Sequence, residues 1–97
     1  MAPSNEKAIV NAIKKALKER GAWVTKTHGS PYSVGLPDII ACYEGRFIGI
    51  EVKKPTTRNT ITLRQQATLD MITQAGGIAG VATSVEEALV LLVQSPL

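Results

Sequence analysis

Apolar positions recur at helical spacing through residues 4–20, "SNEKAIVNAIKKALKER", where Ile9, Val10, Ile13 and Leu17 form one stripe and Gly21 ends the run. Ser4 or Asn5 can cap the start of this helix. "AWVTKT", short and β-branched, predicts a first strand, and "HGSPYSVG" a polar loop. "LPDIIACY" and "FIGIEVKK" read as two further strands joined by the tight turn "EGR", hence as a hairpin. "PTTRN" predicts a polar, mobile loop. Residues 62–75 form a second helix, with Thr62 and Gln65 spaced as a capping box and Gly76-Gly77 as its stop. "IAGVAT" is a fourth strand. Ser84-Val85-Glu86-Glu87 then opens a third helix with Val85, Ala88, Leu89 and Leu92 inward. The order αβββαβα predicts an α/β fold, a mixed β-sheet flanked by helices.

Composition narrows the class. The chain has 97 residues, 44% apolar and 20% charged, which suits one globular domain spanning 1–97. No run approaches the roughly 18 apolar residues of a membrane span, and the N-terminus lacks the basic-then-apolar signature of a signal peptide. The lone Cys42, inside "DIIACY", reads as a buried, reduced core thiol, so a cytoplasmic location is expected. A net charge of +3 and a pI near 9.3 are compatible with a nucleic-acid partner. Aromatic residues are few, so such contact should run mainly through phosphates.

Chemistry enters where the alternation is broken. On the third strand Ile48, Ile50 and Val52 face one side, and Phe47, Gly49, Glu51 and Lys53 the other. With Gly45 and Gly49 adding little cover, that second face is expected to be open near Glu51. Taken alone, Glu51 and Lys53 read as a weak ion pair on a solvated face. Asp38, after Pro37, changes this, because a hairpin turning near Glu44-Gly45 sets Asp38 opposite residues around 51. Two adjacent carboxylates repel and are tolerated best around a cation, and hard oxygen ligands suit Mg²⁺ or Mn²⁺. Glu6, continuing the first helix's stripe, and Gln65, on the stripe of Leu69 and Ile72, point to the same pole of the sheet. Each also has a plain structural reading, as a first-turn acid and as a capping residue. Lys14, Lys15 and Lys18 read as a solvated helix face.

Asp38-x12-Glu51-Val52-Lys53 resembles the PD-(D/E)XK nuclease signature. The longer string "KTHGSPYSVGLPDIIACYEGRFIGIEVKKP", followed by "TLRQQ" and "AGG", is similar to virus-type replication–repair nuclease (VRR-NUC) domains. The likeness runs from about Glu6 to Gly80. It implies a restriction-endonuclease-like core and a metal site formed by Asp38, Glu51 and the Val52 carbonyl, with Glu6 nearby. It further implies catalytic roles for Glu6, Asp38, Glu51, Lys53 and Gln65, with Gln65 preferred over Gln66. The expected activity is Mg²⁺- or Mn²⁺-dependent, structure-selective DNA hydrolysis on branched substrates such as Holliday junctions, by a homodimer without an organic cofactor. Dimerisation is expected through the third helix or "EEALVLLV". The chain looks too short to add a separate DNA-recognition domain. Candidate DNA contacts are Lys26, His28, Ser30, Tyr32 and Ser33 in the first loop, and Lys54, Arg58 and Arg64 beyond the third strand. A non-catalytic DNA-binding or assembly module is the rival reading. The residues leave phage, prophage or host origin open.

Overall fold

Asn5 opens α1 (Glu6–Glu19): its Oδ1 accepts from the Ala8 N–H at 2.8 Å, so Asn5 and not Ser4 is the cap. The molecule is described by a computed structural model covering residues 5–27 and 35–93; His28, Ser30, Tyr32 and Ser33, expected as DNA contacts, lie outside the described residues. The predicted stripe holds, with Ile9, Ile13 and Leu17 buried and Val10 partly so. After α1 come β1 (Trp23–Lys26), β2 (Ile39–Tyr43), β3 (Arg46–Val52), a 3₁₀ segment (Pro55–Thr60), α2 (Leu63–Gln74), β4 (Ile78–Ala82) and α3 (Val85–Leu92). This is the expected αβββαβα order, and the fold is α/β.

The sheet order is β1-β2-β3-β4, antiparallel at the first two junctions and parallel between β3 and β4. Glu44 and Gly45 form the hairpin turn with φ of 50° and 79°. Two positive φ values in succession match the right-handed strand twist, as in a type I′ turn. Tyr43 therefore pairs with Arg46 and Ile39 with Ile50. One step further, Asp38 lies across from Glu51.

Helices cover both faces. Ile48, Ile50 and Val52 join Ile9, Ile13, Leu17, Ala88 and Leu92 in one core beneath α1 and α3. Each buried aliphatic side chain there contributes about 1.5–3 kcal/mol of transfer free energy. The opposite face was expected to be open near Glu51, and it is not. A Cβ on Gly49 would lie 2.8 Å from Ile72 Cδ1 and 3.0 Å from Pro37 Cγ. Glycine is thus what lets α2 settle onto β3, and Glu51 is only 3% exposed.

The cover on that face is partial, which corrects the reading of Cys42. α2 packs on β3 and β4. Trp23, Cys42 and Phe47 are register partners across β1, β2 and β3, and all three are exposed, Trp23 at 63% and Phe47 at 47%. Cys42 is therefore a surface thiol within an apolar row, not a core residue. "PTTRN" also departs from its reading as a loop. It winds into 3₁₀ turns, with the Thr57 N–H donating to Lys54 O at 3.0 Å. Arg58 ties these turns to α3, donating to Glu87 and, at 3.3 Å, to Thr83 Oγ1. The Thr83 N–H and Oγ1–H both donate to Glu87 Oε1 at 2.6 Å, and these bonds hold the Glu87 carboxyl below its usual pKa.

Candidate active site

Three segments meet where β3 ends. Pro37-Asp38 enters β2, Glu51-Val52-Lys53 leaves β3, and Thr27 leaves β1. Thr27 fastens the first of these: its N–H donates to Asp38 O at 2.9 Å and its hydroxyl to Pro37 O at 2.8 Å. Sequence reasoning passed over Thr27. The signal available was its place one residue beyond a β-branched strand, in register with Asp38.

Opposite Val52 stands Pro37, which has no N–H but whose carbonyl is already taken by Thr27. The Val52 N–H turns instead to Asp38 Oδ2, at 2.7 Å. One carboxylate oxygen of Asp38 thus closes the sheet's hydrogen bonding, and the other is left for the site. Lys53 continues the parallel ladder through its backbone, donating to Ala82 O at 3.1 Å. Its side chain is half-buried, and its ammonium is close enough to act on Glu51 electrostatically.

Glu51 is the unusual group. Its Oε1 is buried with no hydrogen-bond partner among the described residues. Burial first, and then the negative charge of Asp38, push its pKa from 4.5 to about 7, with Lys53 pulling partly the other way. A buried carboxyl with an unpartnered oxygen is expensive unless something is meant to meet it. A divalent cation fits: the available donors are hard carboxylate oxygens with no His or Cys among them, a set that suits Mg²⁺ or Mn²⁺.

The other expected members lie differently. Glu6 is exposed in the first turn of α1, the helix packed on the Ile48/Ile50/Val52 face, opposite to Glu51. Among the described residues no three His, Cys, Asp or Glu side chains gather as a metal-holding group, so Glu6 does not join the Asp38–Glu51 pair. Gln65 completes the capping box, its Oε1 accepting from the Thr62 N–H at 2.9 Å. Gln66 is exposed and donates to Asp70 at 2.9 Å. Lys26 is half-buried at the end of β1, and Lys54 is half-buried at the start of the 3₁₀ turns. Arg58 is engaged with Glu87 and Thr83. Arg64 lies over Gly35, its Nε 3.1 Å from where a Cβ would stand, just before Pro37-Asp38.

Topology places more at this pole. β1 and β3 are both antiparallel to β2, and β4 is parallel to β3, so their C-terminal ends coincide. α1 doubles back onto β1, α2 returns into β4 through Gly76-Gly77, and α3 returns from it through Thr83-Ser84. All three helix N-termini therefore sit on the side of Asp38 and Glu51, and each adds a partial positive charge.

Comparison with known proteins agrees with this geometry. The family model of archaeal Holliday junction resolvases (Hjc) matches residues 4–92. A solved VRR_NUC domain superposes with a TM-score of 0.72, covering 93% of this chain and 96% of that chain at 20% sequence identity. No curated protein matches. The structural likeness shows the fold, a four-stranded mixed sheet flanked by helices of the restriction-endonuclease-like kind. The family match runs through the whole hairpin and all three helices, and the chain belongs to the archaeal Holliday junction resolvase (Hjc) family.

Proposed function

We propose that this protein is a divalent-metal-dependent endonuclease that hydrolyses phosphodiester bonds in branched DNA such as Holliday junctions, acting as a homodimer in the cytoplasm. One observation carries the reading: a buried Glu51 with an unpartnered oxygen, set against the half-buried Asp38 carboxylate and beside the Lys53 ammonium. Asp38 and Glu51 would hold Mg²⁺ or Mn²⁺, with the Val52 carbonyl at the end of β3 as a further oxygen. The cation, when bound, polarises a phosphate oxygen and makes a bound water more acidic. Lys53 orients the attacking water and offsets charge gathering on the phosphate. The helix N-termini at this pole favour a phosphate there. Gln65 acts by fixing the start of α2 beside the site, and Glu6, on the first turn of α1, would act on the cation only from a distance. Lys26, Lys54 and Arg64 would meet neighbouring phosphates. Arg58 can join them only by leaving Glu87.

Cleavage of a labelled four-way junction and of plain duplex, with Mg²⁺ and with EDTA, tests this. The junction is expected to be cut with Mg²⁺ and untouched in EDTA. Lys53→Ala should lower the single-turnover rate by roughly 10²- to 10³-fold, the range for loss of one charge-stabilising group. Equal rates for Lys53→Ala and wild type would refute the role of Lys53. DNA bound yet left uncut under every divalent metal would make the protein a binding module.

The dimer reading is supported by the exposed row Trp23, Cys42 and Phe47 on the sheet; on the expected surface, α3 and "EEALVLLV", Val90 and the C-cap residue Val93 are exposed too. Apolar rows of this kind call for cover. Light scattering at micromolar concentration should give twice the monomer mass, and Trp23→Glu should shift it toward one. A monomeric wild type would exclude the dimer.

A further inference from the structure

The net charge of +3 is not spread along the chain. Up to residue 20, five cations (Lys7, Lys14, Lys15, Lys18 and Arg20) stand against Glu6 and Glu19. Beyond it, six Lys and Arg residues meet six Asp and Glu residues. The entire excess therefore belongs to α1 and its C-terminal cap. Because Ile9, Ile13 and Leu17 turn inward, the lysines are turned out. Lys14, Lys15 and Lys18, with Asn11 and Glu19, line an open groove of about 460 Å³.

Among the described residues the side chains of Lys14, Lys15 and Lys18 make no ion pair and no hydrogen bond; Lys18, in the last turn of α1, meets only the partial negative charge of the helix C-terminus. Lys14 and Lys18 are four residues apart, a spacing at which like charges oppose the helix that carries them. An external polyanion removes that opposition. At about 1.5 Å of rise per residue, the groove runs from roughly 8 Å to about 20 Å along α1 from Glu6. The groove thus lies along the outer face of α1, beyond the pole at which the three helix N-termini gather.

We infer that the outer face of α1 is a track for the phosphate backbone of a duplex DNA arm, separate from the contacts that position the scissile bond. The inference rests on DNA being the substrate. Its charge pattern reads no bases, so the track binds duplex of any sequence and lengthens the bound footprint. Glu19 at the groove's edge sets where the track weakens.

The test is junction affinity from 50 to 200 mM salt, in EDTA, for wild type, the triple variant Lys14→Gln/Lys15→Gln/Lys18→Gln, and Glu19→Lys. Each lost phosphate contact should flatten the slope of log affinity against log salt by about 0.9, so the triple variant should lose roughly 2 to 3. Glu19→Lys should steepen it by about 1. Single-turnover cleavage at saturating protein with Mg²⁺ should match wild type in both variants, since neither touches the site. Slopes indistinguishable from wild type in both variants would overturn the track while leaving the nuclease reading intact. A wild type that neither binds nor cuts the junction would overturn both. Should the triple variant fold poorly, Glu19→Lys and the charge-preserving triple Lys→Arg variant, expected to keep the wild-type slope, decide the matter.

Discussion

Glu51→Gln is expected to abolish cleavage and, at the same time, to make the metal-free protein more stable near pH 8. The two effects have one cause. In the fold the Glu51 carboxyl ionises near pH 7, against 4.5 ordinarily, because it is buried beside Asp38. A raised carboxyl pKa means that the folded state holds its proton more tightly than the unfolded chain. Below about pH 4.5 both states are protonated and nothing is lost. As pH rises from 4.5 to 7 only the unfolded chain releases the proton, so stability falls by about 1.4 kcal/mol per unit. Above pH 7 the loss levels off on the order of 3 kcal/mol. A glutamine does not titrate, so the variant lacks this decline. In EDTA its melting temperature should exceed that of wild type at pH 8 by roughly fifteen degrees, and the gap should close toward pH 4.5. Addition of Mg²⁺ at pH 8 should stabilise wild type and leave the variant unchanged, because only a native-state site binds it. Junction cleavage by the variant should fall by about a thousandfold, several kcal/mol of lost charge stabilisation. A variant less stable than wild type at pH 8 in EDTA would mean that the Glu51 charge is not held against its preference.

This tension was half legible in the sequence. The two-residue turn Glu44-Gly45 sets the register, and counting back from it brings Asp38 opposite Glu51 before any coordinate is known. The alternation of Ile48, Ile50 and Val52 likewise named the buried face correctly. What the pattern misjudged was the other face. Gly49 looks like an opening when read along one strand, yet its missing side chain is the space into which Ile72 fits. The same local view placed Cys42 inside, since "DIIACY" is apolar throughout. Which strands a helix covers depends on where α2 returns, and α2 covers β3 and β4 while the Trp23–Cys42–Phe47 row stays bare. Arg58 and Glu87 lie 29 residues apart, so no local rule could pair them and turn a supposed mobile loop into a tethered one. Glu6 shows the limit of helical periodicity, which gives a residue's side of the helix but not which face of the sheet that helix occupies.

Asp38 permits a sharper separation of fold from chemistry, because its two substitutions should part company. Its Oδ2 receives the Val52 N–H at 2.7 Å, and Val52 is fully buried. Asp38→Asn keeps a carbonyl-type oxygen for that N–H and removes a negative charge from beside Glu51. Both changes favour the fold, and the new amide N–H group can also reach toward the unpartnered Glu51 oxygen. Asp38→Ala removes the same charge but strands the Val52 N–H, a penalty of about 1–3 kcal/mol for a buried donor. Unfolding in urea without metal should therefore rank Asn at or above wild type, and Ala below Asn by about that amount. Cleavage of the junction should fall by roughly a thousandfold in both, since each removes a carboxylate from the proposed cation. Equal stability of the two variants would show that the Val52 bond carries no weight, and wild-type cleavage by Asp38→Asn would remove Asp38 from the chemistry. The expected result, a stable and inactive Asn variant beside a weakened and inactive Ala variant, assigns one oxygen of Asp38 to the sheet and the other to the phosphodiester bond.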